Sequence, residues 1–424
     1  MGTSTNPPRW RKITVFAVAA VLAAGAAAVI IYRVLAPAEV STPAKGAYKA
    51  APKTSPGVRG TFPSAPLLVD GRLRVYATTR QVSADQPANA TTKGTPYWSY
   101  RRWPEQLTGV IKTAAPGGPL VVSQWSDGEV VALVAATGRI AWRTAGPTPD
   151  GGYTGRRTGA STVYAPAGLH LASANGTGPA VLAVTGRDEV RGVDPATGRE
   201  LWRTPVRSAC RTDELATAGG QLVAVDACAE RPAVEFRDVA TGAVVRRWQP
   251  EGVPAAGLTI TGVSCADGVS GCRAIRTTGA GINRGWLVDR AEPAPAPALD
   301  SPAAMLVGDL AVAPEGTDVV ARTPAGREVW RRSFVRPVRL LAVQPGRVHL
   351  LSPTNELITL DEARGAERSR FRLRYGDGGM AWAAGYAYAA GGYVAVERLA
   401  QPVEPDAKDA QYYAAARPVI WSAT

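Results

Sequence analysis

Three sets of residues in this chain have types and spacings that could do chemistry. The first is Val193-Asp194-Pro195-Ala196-Thr197-Gly198-Arg199-Glu200-Leu201-Trp202, where an acid, a glycine-bearing turn and a tryptophan follow one another. The second is four cysteines, Cys210, Cys228, Cys265 and Cys272, and the third is the two histidines, His170 and His349. The histidines stand alone on strand-like runs, Gly-Leu-His-Leu and Arg-Val-His-Leu, with no nucleophile motif beside them, so both read as structural strand residues. No nucleophile-elbow, zinc-protease or phosphate-loop pattern occurs. Asp127-Gly128, Asp267-Gly268 and Asp377-Gly378 lack the alternating carboxylates of a calcium loop and read as turns. No catalytic, cofactor-binding or metal-ligating residue is assigned.

The cysteines form an even set without a Cys-x-x-Cys pair, and two histidines are too few to complete a usual zinc site. Disulfides in an oxidising compartment are the simpler reading. Of three formal pairings, Cys210–Cys228 and Cys265–Cys272 are favoured, because each pair flanks one strand-to-strand connection. The formal net charge of +13 favours acidic partners such as anionic headgroups or envelope polymers. Nucleic acid is not expected, since no basic helix, zinc spacing or aromatic–basic signature is present.

The elements that position these residues follow from the first set. Pro195 suits the second position of a tight turn, Asp194 can bond back to the turn backbone, and Gly198 can take the left-handed conformation. Copies recur at Val130–Trp142, at Val234–Val245 with Trp248 displaced, at Val319–Trp330 and at Leu357–Gly365, with a worn one at Trp286–Asp289. Their turns are spaced by roughly 60, 44, 48, 36 and 39 residues, the period of a four-stranded propeller blade. The sequence thus predicts an all-β propeller, seven blades favoured and six to eight allowed, over 66–424. The chain stops partway through a blade, and Tyr97–Tyr100 is expected to supply the missing outer strand and close the ring.

Ahead of the repeats, residues 1–12 end in Arg9-Trp10-Arg11-Lys12, and 13–36 is a nearly unbroken apolar stretch bordered by Tyr32 and Arg33. Its length suits a transmembrane signal anchor better than a cleaved signal peptide, although whether it is cleaved stays open. Residues 1–12 are then a cytoplasmic tail, and disulfide usage places the propeller outside the cytoplasm. Residues 37–65, rich in Pro and Ala, read as an extended linker.

The motif Asp-x-x-Thr-Gly-x-x-x-Trp at Asp194–Trp202 resembles the repeat of the pyrroloquinoline-quinone enzyme propellers. The resemblance spans about 66–424 and is strongest at 130–142, 188–202 and 319–330. It implies a propeller in which the tryptophans dock neighbouring blades, here Trp142, Trp202, Trp248 and Trp330. It implies no cofactor: the family's quinone-dependent dehydrogenases carry adjacent cysteines over the quinone, and this chain has none. Related repeats occur in outer-membrane assembly scaffold lipoproteins and in receptor-kinase ectodomains, but this chain has neither a lipobox cysteine nor a kinase segment. The expected function is a membrane-tethered binding or scaffold module of the cell envelope, with a protein or envelope polymer as partner. A quinone- or metal-dependent oxidoreductase or lyase using the channel, and a sensor domain signalling through a partner, are the alternatives. What is specific to the protein is expected at 81–95, 291–299 and 400–416.

Overall fold

Turns spaced one blade apart oblige the chain to fold as repeated four-stranded meanders, and a computed structural model has that form. It describes residues 18–27, 36–266, 270–290, 292–374, 381–402 and 416–424. Eight antiparallel sheets follow one another around a ring, one more than the seven favoured from the sequence. We number the blades I–VIII in chain order. Blade I runs from Leu67 to Trp103, II from Leu107 to Ala145, III from Leu169 to Pro205 and IV from Arg211 to Trp248. Blade V spans Thr259–Pro295, VI Met305–Ser333 and VII Arg339–Arg372, while VIII begins at Ala383.

The blade overlooked in the sequence is the first. Its third strand, Gln81–Asp85, and fourth, Trp98–Trp103, are joined by a long loop in place of the Thr-Gly turn. The stretch 81–95 is therefore partly a core strand. Its loop is held by Arg74, a fully buried guanidinium that pairs with Asp85 at 2.8 Å and donates to the carbonyls of Ala90 and Thr92.

Closure also differs from expectation. Tyr97–Tyr100 belongs to blade I, and the outer strand of blade VIII is Gly57–Phe62, paired with Val419–Ala423 in the register Thr61↔Ile420. A second strand, Ala38–Thr42, adds a fifth member to blade I by pairing with Trp98–Trp103. Much of the expected linker 37–65 is thus woven into the ring. Every residue of Ala38–Thr42 is exposed, so that strand carries no apolar signature, whereas Gly57–Phe62 buries its last three residues but offers only Phe62 as a large apolar side chain.

Blade V is worn in structure as in sequence. Its fourth strand is only Ala294–Pro295, and a 3-10 turn, Pro297–Leu299, fills the rest of that edge. Residues 18–27 are helical and exposed, and the remainder of 13–35 and all of 1–12 lie outside the described residues. Among the described residues no helix is long and apolar enough to cross a membrane. Residues 403–415, 267–269 and 375–380, which hold most of the expected tail loop and two of the Asp-Gly pairs, also lie outside them.

Candidate functional site

The opening motif forms as its residues dictate. Asp194 accepts the Ala196 N–H at 2.8 Å through its carboxylate, and its carbonyl accepts the N–H of Gly198, which sits at φ +75°. The tryptophan that follows each turn leaves its blade and caps the turn of the next. Trp142 Nε1 donates to Pro195 O at 3.1 Å, Trp202 Nε1 to Val239 O at 2.8 Å and Trp330 Nε1 to Glu362 O at 2.8 Å. The ring also covers the turn glycine so closely that a Cβ on Gly198 would lie 2.6 Å from Trp142. Buried indole N–H groups need an acceptor, and a turn carbonyl of the next blade provides one.

Trp248 bridges its blade boundary differently. It meets Trp286 of blade V edge-on, with ring centroids 4.8 Å apart, because blade V lacks the Thr-Gly turn that would receive it. The same defect leaves Gly326, in the turn of blade VI, with nothing within 4 Å of its would-be Cβ. Two docking tryptophans were missed in the sequence. Trp98 donates to Ala135 O at 2.8 Å across blades I and II, and Trp421 donates to Ala88 O at 2.8 Å across the closure. Trp98 lacks the turn signature before it, and Trp421 sits in a third strand.

Both disulfides have the favoured pairing, Cys210–Cys228 and Cys265–Cys272. The second clips its hairpin to blade IV, where Cys272 N donates to Ala216 O and Ala218 N to Cys272 O. Asp127-Gly128 is a turn, its carboxylate held by Arg102 at 2.8 Å.

His349 is a buried structural residue. Gln344 uses its carbonyl oxygen to accept the Gly392 N–H at 2.9 Å, so its amide nitrogen faces His349 Nε2 at 2.8 Å and donates. The proton of the neutral ring is then on Nδ1, donated to Thr359 Oγ1 at 3.1 Å. Burial, aided by Arg347, lowers its pKa to about 3.

His170 has different company. It lies on the innermost strand of blade III, 2% exposed, with Nε2 3.6 Å from the Glu214 carboxylate of blade IV. Arg211 reaches the other oxygen of Glu214 at 2.8 Å. Burial alone would raise the Glu214 pKa. The neighbouring His170 imidazole and the charge of Arg211 outweigh it and bring the group to about 2. The carboxylate is therefore ionised at neutral pH and cannot serve as a general acid there. Among the described residues no group of three or more His, Cys, Asp or Glu is arranged to hold a metal ion.

These residues lie beneath the long connection between blades II and III. This connection explains the 60-residue step in the repeat, and it carries a one-turn helix, Ala160–Tyr164, against the inner strands of blades I, II and VIII. Tyr164 stacks on Tyr388 with centroids 4.6 Å apart, and Thr158 donates to Glu397 at 2.6 Å. The connection thus occupies one side of the central channel and roofs a cavity of about 320 Å³ lined by His170, Arg211 and Glu214. Arg211 and Val206 are shared with a larger cleft of about 630 Å³ between blades III and IV, walled by Cys210–Cys228, Glu235, Arg237 and Arg247. A third cleft, about 420 Å³, lies at the equivalent place between blades VI and VII beside Val335. All three open on the face opposite the Thr-Gly turns.

The charged lining was not singled out from the sequence. A signal was present in Val234-Glu235-Phe236-Arg237, where charge and apolar character alternate along a strand, so one blade face is apolar and the other polar.

Eight blades of four strands, the first with a fifth added, and tryptophans docking several of their boundaries define a β-propeller built from quinoprotein-type repeats. The chain belongs to the family described as outer membrane protein assembly factor BamB, whose model matches residues 55–167 and 154–339. Among solved structures it is similar to BamB from Moraxella catarrhalis, at 14% identity over 90% of this chain and 97% of that one, with a TM-score of 0.44. It is also similar to the C-terminal WD40 domain of Sif2, at 9% identity over 87% and 96% of the two chains, with a TM-score of 0.44. No curated protein matches it.

Proposed function

We propose that this chain is an extracytoplasmic, membrane-tethered propeller that acts as a binding or scaffold module of the cell envelope, holding a protein or envelope-polymer partner on the face opposite its Thr-Gly turns. The observation that carries this reading is the distribution of surface. The repeated motif is consumed in blade docking, while three interblade clefts, of about 630, 320 and 420 Å³, open on the other face. The BamB family match supports a protein partner. Two disulfides favour an oxidising compartment, and the apolar stretch 13–36 supplies the tether.

The test has two arms. A reporter fused after Thr424 is expected to be active only when the C-terminus lies outside the cytoplasm. Crosslinking in intact cells followed by purification of the full chain is expected to return a reproducible envelope partner. That partner should be lost when bulky residues are placed on the cleft face, for example Val206→Trp and Val335→Trp together, and retained when exposed Val244 on an outer strand is changed instead. Loss of neither, or reporter activity confined to the cytoplasm, overturns the reading.

A further inference from the structure

The cleft between blades III and IV holds more guanidinium donors than its own acids use. Arg211 enters from the first residue of the inner strand of blade IV, with a side chain 8% exposed, and its Nη1 is buried without a hydrogen-bond partner. Arg237 comes from the third strand of the same blade, its side chain 12% exposed, and its Nε is likewise buried and unpartnered. Arg207 and Arg247 stand exposed at the mouth of the same cleft.

The acids around them are largely committed. Glu214 lies against Arg211 at 2.8 Å, and Glu235 against Arg237 at 2.6 Å and Arg247 at 3.3 Å. Asp226 accepts the N–H groups of Cys228 and Ala229, which holds the disulfide hairpin in place. Glu230 is exposed at the rim. Buried donors are nearly always paired in folded proteins, so two unpaired ones on side chains that line a single cleft point to a missing acceptor. The two guanidiniums also crowd each other: burial lowers the Arg237 pKa, and the charge of Arg211 lowers it further.

We propose that this cleft is an oxyanion-binding site, in which the guanidiniums of Arg211 and Arg237, shifting within its wall, donate to a carboxylate or phosphate and Arg207 and Arg247 draw it in. Guanidinium is the side chain suited to such groups, because its planar fork of donors keeps its charge at any physiological pH. The volume of about 630 Å³ exceeds a bare ion and accommodates a small molecule or one extended acidic side chain with its neighbours. The Cys210–Cys228 bond fixes one wall, so the site should be sensitive to reduction. The inference does not depend on the membrane tether or on a scaffold role.

The experiment is titration calorimetry of the full chain at constant ionic strength with inorganic phosphate, citrate and a hexaglutamate peptide, each against sodium chloride. Saturable binding of at least one probe is expected. Arg211→Lys keeps the charge beside Glu214 but loses the fork, and should weaken binding at least tenfold; Arg237→Gln should do the same. Arg203→Gln, on the exposed outer strand of blade III, should leave binding unchanged. Near-UV circular dichroism verifies that each variant is folded, and Arg207→Gln, at an exposed position, gives a second measurement if a buried variant fails to fold: it should weaken binding severalfold. Binding of citrate or phosphate but not of hexaglutamate would identify a free small ligand, and tighter binding of hexaglutamate an acidic segment of a partner. Either outcome supports the site. No binding beyond chloride, or unchanged affinity in the folded arginine variants, overturns it.

Discussion

A glycine that only needs a left-handed backbone can be told from one that also receives a ring. Gly365 and Gly257 share φ +66°, but a Cβ on Gly365 would lie 2.6 Å from Trp330, whereas one on Gly257 would meet nothing within 4 Å. Alanine at either position pays the backbone strain, about 1–2 kcal/mol. Gly365→Ala should lose at least about 1 kcal/mol more in urea unfolding, the overpacking penalty of displacing an indole. Equal losses would mean that the ring moves aside freely. His349 offers a second test. The unfolded chain takes up its proton near pH 6.5, while the folded ring resists until about pH 3. Stability conferred by the neutral ring is therefore complete above pH 6.5 and declines as pH falls toward 3. Glu214, lowered to about 2, adds loss in the same direction below about pH 4.5. His349→Gln should flatten the stability profile between pH 6.5 and 4.5, measured by denaturant midpoints across that range. At this scale the sequence was legible where chemistry is local: Asp194, Gly198 and the indoles follow from turn geometry. Arg211 and Arg237 were not, since a charged residue on a strand reveals its partners only once blades are set side by side.

Elements were legible in proportion to how closely they kept the repeat. The glycine-bearing turns announced blades II, III, IV, VI and VII, with Thr-Gly itself in the first three. Blade I escaped because a loop pinned by Arg74 and Asp85 replaces the turn, and the channel helix Ala160–Tyr164 was visible only as excess length between two turns. The disulfides belong to this scale as well. Cys265–Cys272 closes a short excursion between two strands and Cys210–Cys228 ties the ends of the first two strands of blade IV, and loss of either by paired Cys→Ser substitution should cost on the order of 2–4 kcal/mol. Thiol labelling before and after reduction checks that all four cysteines are protected, and four freely reactive thiols would contradict the pairing. Because Cys272 is hydrogen-bonded to blade IV while Cys210 lines the arginine cleft, the two losses should differ in kind. Breaking Cys265–Cys272 should loosen the IV–V boundary, whereas breaking Cys210–Cys228 should alter the cleft, as hydrogen exchange would resolve.

For the whole molecule, the ring depends on Gly57–Phe62 sealing blade VIII and on a loop of blade I receiving it. Trp421 docks on Ala88, and Gly60 lies against the backbone of Thr91 too closely for any side chain. Arg74 organises that loop, so Arg74→Leu leaves Asp85 buried and unpaired and should cost about 3–5 kcal/mol by denaturant unfolding. A chain starting at residue 50 keeps the seal and should remain monomeric. One starting at residue 64 loses it, and light scattering should detect association through the bared strand. The architecture was readable from the repeat period, but the source of the closing strand was not, because Gly57–Phe62 carries a single large apolar residue, Phe62, and no turn of the repeat beside it.

That seal also sets an order of events during biosynthesis. Thr61 and Ile420 stand opposite each other although more than three quarters of the chain separates them, so Gly57–Phe62 emerges long before its partner exists. Until then blade VIII cannot form, and the waiting segment must be kept from pairing with the edges of half-made blades. Contacts this distant in sequence make folding slow and expose intermediates to misassembly. The protein can begin forming its blades in succession, yet its ring is finished only when Val419–Ala423 arrives, and a chain interrupted before that strand would carry seven sound blades without a closed propeller.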